Sequence, residues 1–224
     1  MKTDSTKFSR FLRFSIAGAS LLVVGVLVLA ALGVLRRPAG HSPEANGTAA
    51  PASAADNAGD ATAAAAGPKV GEAAPDFRLP YATQEKIYLK PEEHMALSSL
   101  RGKNVILAFY PADWSGGCTK EVCTLRDTFA ELSKLNAIVL GISGDYVFSH
   151  QEWAKFHKLQ FPLLSDHDHK VARAYGSYNE AAGFNKRTVF LIDKEGIVRY
   201  SNLDFKAGDA KDYGSLRAEL EKLK

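Results

Sequence analysis

Two residues in this chain of 224 carry the side chain best suited to redox and nucleophilic chemistry, Cys118 and Cys123. Both fall in one stretch, Phe109-Tyr110-Pro111-Ala112-Asp113-Trp114-Ser115-Gly116-Gly117-Cys118-Thr119-Lys120-Glu121-Val122-Cys123. The apolar run Val105–Tyr110 just before it reads as a buried strand, and the apolar spacing after it reads as a helix, so Cys118 stands at a strand end and a helix start. In open α/β sheets ligands bind beyond the carboxyl ends of the strands. A helix N-terminus adds unpaired N–H groups and a partial positive charge, a field that favours thiolate over thiol. Gly116-Gly117 lets the backbone approach a small reactant. The competing reading is a buried structural cysteine, a common core residue.

Cys123 lies five residues further on. In a continuous helix its Cα would stand roughly 8.6 Å from that of Cys118 and on another face. A disulfide needs Cα atoms within about 7 Å, so this pair can bond only if the first helical turn unwinds. Redox use of the pair would therefore include local unfolding. Two cysteines do not make a structural zinc set, and the six histidines (41, 94, 150, 157, 167 and 169) show no zinc spacing beside them. No metal and no cofactor is expected.

The elements that must position these thiols follow from hydrophobic pattern. Val105–Tyr110, Ala137–Ile142 and Thr188–Ile192 are nearly continuous apolar runs, as expected of strands covered on both faces. Asp193-Lys194-Glu195-Gly196 reads as a turn that pairs Ile197–Tyr200 with the preceding strand. Val122, Leu125, Phe129 and Leu132 mark a helix after the first strand. Ser149-His150-Gln151-Glu152 has the form of a capping box, opening a helix with Trp153 and Phe156 inward. His167–Tyr175 reads as a short helix ended by Gly176. Tyr213, Leu216, Leu220 and Leu223 form the stripe of a final helix, and residues 77–90 are expected to add a strand or hairpin. The fold class is α/β with a central mixed sheet flanked by helices. Tyr110 and Trp114 are expected as packing residues.

The cysteine stretch resembles the peroxiredoxin active-site motif Pro-x-x-x-Thr/Ser-x-x-Cys, met by Pro111, Ser115 and Cys118. Thr119-Lys120-Glu121-Val122-Cys123 is similar to the bacterioferritin-comigratory, or Q-type, group. Gly71-Glu72-Ala73-Ala74-Pro75-Asp76-Phe77 at the domain start and Arg187-Thr188-Val189-Phe190-Leu191-Ile192-Asp193 match further family segments, so the resemblance spans about Val70–Tyr200. It implies a thioredoxin-like fold and a thiol-dependent peroxidase. By that resemblance Cys118 attacks the peroxide and becomes a sulfenic acid, and Cys123 condenses with it to an intramolecular disulfide. A thioredoxin-like dithiol then reduces the bond. It also implies that Arg187 holds the thiolate, Ser115 hydrogen-bonds the peroxide or the sulfur, Pro111 shields the sulfur, and Glu121 orients the arginine. The implied assembly is a monomer or weak dimer. Two departures stand out: Ser115 replaces the commoner Thr, and Gly116-Gly117 replaces Pro-Gly.

Ahead of the folded domain, Ser15–Leu35 is an uncharged run of 21 residues. At 1.5 Å per residue it matches the roughly 30 Å hydrocarbon core of a bilayer, longer than the apolar part of a cleaved signal peptide. The expected organisation is a basic cytoplasmic tail (1–14), an uncleaved transmembrane anchor (15–35), an Ala/Pro/Gly-rich flexible linker (36–68) and the catalytic domain (69–224). Four bases precede the span and Arg36-Arg37 follow it. The balance favours a single-pass inner-membrane protein with its domain on the exported side. Thirteen of the 31 residues 38–68 are Ala and none is a large apolar residue, so this segment cannot offset the entropy of ordering.

Six of the 28 Lys/Arg residues lie in 1–37, and the remainder of the chain carries 22 bases against 24 acids. The folded part therefore has no electrostatic basis for nucleic-acid binding. Two other readings stay open at this level. One is a membrane-tethered thiol–disulfide oxidoreductase acting on exported proteins, which would ordinarily carry Cys-x-x-Cys. The other is a non-enzymatic interaction module.

Overall fold

The computed structural model describes residues 66–223. The expected basic tail, the apolar span Ser15–Leu35 and the linker up to residue 65 lie outside the described residues. Among the described residues no helix is long and apolar enough to cross a membrane.

The continuous apolar runs are strands with both faces covered. Ile106, Ala108, Val139, Val189 and Leu191 pack on one side of the sheet, against Val122, Leu125, Trp153, Leu216 and Leu220. Val105, Leu107, Phe109, Leu140, Ile142, Phe190 and Ile192 pack on the other, against Phe77, Leu97, Ala172 and Tyr175. Successive side chains alternate between two cores, so no polar position is left along the strand.

Seven strands form the sheet: β1 Tyr81–Ala82, β2 Ile87–Tyr88, β3 Asn104–Phe109, β4 Ala137–Ser143, β5 Leu163–Ser165, β6 Thr188–Ile192 and β7 Val198–Asn202. Their order is β7-β6-β3-β4-β5-β1-β2. Strands β3, β4 and β5 run parallel. β6 runs antiparallel to β3, and β1 antiparallel to β5. The sheet is thus mixed, as expected, and residues 77–90 supply the β1–β2 hairpin at its edge. Gly196, at φ +84°, closes the β6–β7 turn, where Asp193 Oδ1 accepts from the amides of Glu195 and Ile197.

The helices are α1 Gly116–Lys134, α2 Val147–His157, α3 Lys170–Ala174 and α4 Ala210–Glu221. Asp209 caps α4 by accepting from the Lys211 amide, and Leu216 and Leu220 are buried as their spacing predicts. Three expectations need correction. Helix α2 starts at Val147 after Tyr146, so Ser149 does not cap it; the Ser149 hydroxyl donates instead to Asp113 Oδ2 at 2.7 Å. The buried stripe of α2 runs Val147, His150, Trp153 and Ala154, which leaves Phe156 72% exposed rather than inward. Helix α3 is shorter than His167–Tyr175, because Asp166 accepts from the amides of Val171 and Ala172 and His169 takes a left-handed φ of +55°. Gly176 follows its end at φ +64°, as expected.

Candidate active site

The loop leaving β3 delivers its chain to the N-terminus of α1. Ser115 is the N-cap, its Oγ accepting from the Cys118 amide at 3.4 Å. Cys118 is therefore the third residue of the helix, where the unpaired amides and the helix dipole converge. It is fully buried and unbonded.

Sheet register brings Arg187 to it across 69 residues of sequence. Strand β6 pairs antiparallel with β3, Thr188 opposite Phe109, so Arg187 stands level with the carboxyl end of β3. Its Nη2 donates to Cys118 Sγ at 3.3 Å. Glu121 lies one turn after Cys118, on the same face of α1. It is fully buried, and its Oε2 accepts from Arg187 Nη1. The other carboxylate oxygen, Oε1, has no hydrogen-bond partner among the described residues.

These contacts set the charges. Burial pushes the Glu121 carboxyl up to about 7, while the charge and hydrogen bond of Arg187 pull it back. For Arg187, burial opposes its charge, but Glu121 and Cys118 outweigh that and hold its pKa above the usual value. One guanidinium thus spans a carboxylate and a sulfur.

Gly117 makes room for this fork. A Cβ there would stand 3.1 Å from Arg187 Nη2, whereas one on Gly116 would meet nothing within 4 Å. Pro111 and Arg187 border an open groove of about 490 Å³, walled in part by Leu203 and Phe205. The Phe205 amide donates to the Arg187 carbonyl at 3.1 Å, which ties that wall to the arginine.

Cys123 is half-buried on the same unbroken helix, turned toward α2. Its Sγ lies 3.6 Å from His157 Nδ1. With α1 intact the two sulfurs cannot bond, since the helix holds their Cα atoms roughly 8.6 Å apart. Among the described residues no three His, Cys, Asp or Glu side chains are grouped so as to hold a metal ion.

A family model described as the AhpC/TSA family matches residues 70–201. The chain belongs to this family, the peroxiredoxins. A Coxiella burnetii protein that carries the name peroxiredoxin bcp is 45% identical over 136 residues, covering 58% of this chain and 85% of the relative. Chloroplastic peroxiredoxin Q of Triticum aestivum is 43% identical over 107 residues, covering 47% of this chain and 49% of that protein, about half its length. The crystal structure of peroxidoxin BcpB from Mycobacterium tuberculosis superposes with a TM-score of 0.60 at 31% identity, covering 70% of this chain and 99% of that one. The fold is thus thioredoxin-like, as the sequence resemblance implied.

In this peroxiredoxin the loop before Cys118 is pinned by a buried polar network that sequence reasoning missed. Asp113 Oδ2 is 2.9 Å from His150 Nδ1, and both side chains are essentially unexposed. Asp113 Oδ1 accepts from the Tyr110 hydroxyl at 2.8 Å, and Asp145 Oδ2 accepts from the Asp113 amide at 2.9 Å. Tyr110 is a buried packing residue as expected, with its phenol pKa raised well above the usual value by burial and by the Asp113 charge. Trp114 is not. It is 52% exposed at a φ of +61°, and its Nε1 donates to Ser149 Oγ.

Proposed function

We propose that this chain is a two-cysteine thiol peroxidase acting on hydrogen peroxide and organic hydroperoxides. The Cys118 thiolate attacks one peroxide oxygen, the O–O bond breaks, and the remaining oxygen leaves with a proton as water or an alcohol. Cys118 becomes the sulfenic acid. Cys123 then displaces its hydroxyl to form the Cys118–Cys123 disulfide, and a thioredoxin-like dithiol reduces that bond by exchange.

The observation that carries this reading is the 3.3 Å contact from Arg187 Nη2 to a buried sulfur at the third position of a helix. The same guanidinium would meet the charge developing on the peroxide oxygens. Glu121 fixes its orientation, Pro111 shields the sulfur at the groove, and the Ser115 hydroxyl, which accepts from the Cys118 amide, keeps its own proton to offer the substrate. The Cys-x₄-Cys spacing inside one helix supports a peroxidase over an oxidoreductase of exported proteins.

The working unit is a monomer or weak dimer, anchored by Ser15–Leu35 in a bacterial inner membrane with residues 69–224 on the exported side and an exported dithiol donor as its reductant. Protease accessibility of the domain in intact spheroplasts tests that orientation. The chemistry is tested by peroxide consumption with a dithiol donor. Turnover is lost in Cys118→Ser, whereas Cys123→Ser completes the first oxidation and then stalls. Unchanged turnover in Cys118→Ser would reject the reading.

A further inference from the structure

His157 is one of six histidines, none with zinc spacing beside the cysteines. In the fold it is the side chain that faces the second thiol: its Nδ1 is 3.6 Å from Cys123 Sγ, within reach for a hydrogen bond to sulfur. Among the described residues Cys123 has no other side-chain hydrogen-bond partner.

The imidazole is held on several sides. Trp153 meets it edge-on at 5.8 Å between ring centroids, Phe156 at 4.9 Å, and Trp114 at 6.4 Å. Arg126, one turn after Cys123 on α1, donates from Nη1 to the His157 carbonyl at 2.8 Å and so fixes the end of α2. Cys123 and Arg126 on α1 are the titratable and charged groups shown to face it; Asp127 pairs with Arg126, and Lys155 and Lys158 stand at the end of its own helix. The loop carrying Trp114 brings no charge to it. Burial, and then the charge of Arg126, lower the His157 pKa below its usual value, which favours the neutral ring.

We propose that His157 is the general base of the resolution step. This rests on the peroxidase reading of Cys118. Once a hydroperoxide has oxidised Cys118 to the sulfenic acid, the first turn of α1 unwinds. That turn lies on the N-terminal side of Cys123, so Cys118 travels while Cys123 stays beside α2, anchored by buried Val122 and Leu125. His157 Nδ1 takes the Cys123 thiol proton as the sulfur attacks Cys118 Sγ. The S–S bond forms, the S–O bond breaks, and the departing hydroxide recovers the proton from the imidazolium through solvent. The sum is sulfenic acid plus thiol giving disulfide plus water, with the base regenerated. Leaving the thiol to bulk water instead would forfeit the gain of roughly a hundredfold that a positioned base supplies.

The test is a single turnover of the full chain with one equivalent of hydrogen peroxide, followed by acid quench and mass analysis from pH 5.5 to 9. His157→Asn places a non-basic oxygen where Nδ1 stands, and His157→Gly is assayed with and without added imidazole. The expected result is oxidation of Cys118 within twofold of the parent in both variants, with disulfide formation at pH 7 at least about tenfold slower. The parent's resolution rate should fall on acidification through the His157 titration, the variants should lose that limb, and imidazole should restore His157→Gly. Resolution at the parent's rate and pH profile in both variants overturns the proposal, because a packing role alone would change stability and leave the profile in place. A parent that forms no Cys118–Cys123 disulfide overturns the peroxidase reading itself, and this assignment with it.

Discussion

A Cβ on Gly117 would stand 3.1 Å from Nη2 of Arg187, the nitrogen that donates to Cys118. A side chain there must shift the guanidinium by a few tenths of an ångström. Gly117→Ala is expected to slow the reaction with peroxide by about tenfold, in line with a misplaced donor to a developing charge. Its thermal stability should hold or rise, because Ala in a helix is favoured over Gly by up to about 1 kcal/mol. Gly116→Ala, with open space around its Cβ, should leave the rate unchanged. Stopped-flow oxidation and thermal melts of the two variants check the contrast.

Arg187 should not be replaceable by lysine. Its fork serves Glu121 through Nη1 and Cys118 through Nη2, and a point charge cannot do both. Arg187→Lys should lower the second-order rate with peroxide by about a hundredfold. Arg187→Gln should lower it at least as far and also destabilise the fold by about 1–3 kcal/mol, since it leaves the buried Glu121 carboxyl, now protonated, without its partner. Rates and urea melts at pH 7.5 separate the two effects.

Glu121 predicts a pH dependence of stability. Its carboxyl rises from 4.5 to about 7 on folding, chiefly by burial. The folded state therefore binds this proton more tightly than the unfolded state. The resulting stabilisation is fully present below pH 4.5 and is lost as pH rises through about 7. Its size is on the order of 3 kcal/mol. Glu121→Gln, neutral throughout, should lack this component. The stability of the variant relative to the parent should thus improve between pH 5 and pH 8, measured by urea titration at each pH. A difference that stays flat across that range contradicts the assignment.

Much of the framework could be read from hydrophobic pattern. Thr188–Ile192 is a strand at the expected residues because five consecutive apolar or β-branched side chains alternate between two cores. Of the motif residues, Arg187 donates to the Cys118 sulfur, Glu121 accepts from Arg187, Ser115 caps the helix that carries Cys118, and Pro111 borders the same groove as Arg187. The rest depends on partners distant in sequence. Ser149 has the local form of a helix cap, yet its hydroxyl serves Asp113, 36 residues away. The Asp113–His150 pair, and the Cys123–His157 contact across 34 residues, have no local signature. Gly117 was legible as a close approach, but what approaches it is Arg187, and that follows only from the register of β6 on β3.

The Asp113–His150 pair should matter to both stability and rate. With both side chains essentially unexposed, His150→Ala takes one of three side-chain partners from Asp113 and should cost about 1–3 kcal/mol. The loop from Pro111 to Ser115 would loosen with it, so oxidation of Cys118 should slow as well. Asp113→Asn, which keeps hydrogen-bonding capacity, should cost less. Chemical denaturation paired with stopped-flow oxidation checks the order.

Oxidation should be visible in the backbone of α1. Amides of Val122 and Cys123, protected while the helix runs unbroken from Gly116 to Lys134, are expected to lose protection in the disulfide form and regain it with a reducing dithiol. Hydrogen exchange of the two forms reads this directly.

Intact-mass and peptide analysis after one equivalent of hydrogen peroxide tests the central claim most directly. The account predicts the loss of two hydrogens, localised to the peptide holding Cys118 and Cys123, and in Cys123→Ser the gain of one oxygen on Cys118 alone. Unmodified Cys118 under those conditions, or oxidation placed elsewhere in the chain, contradicts it.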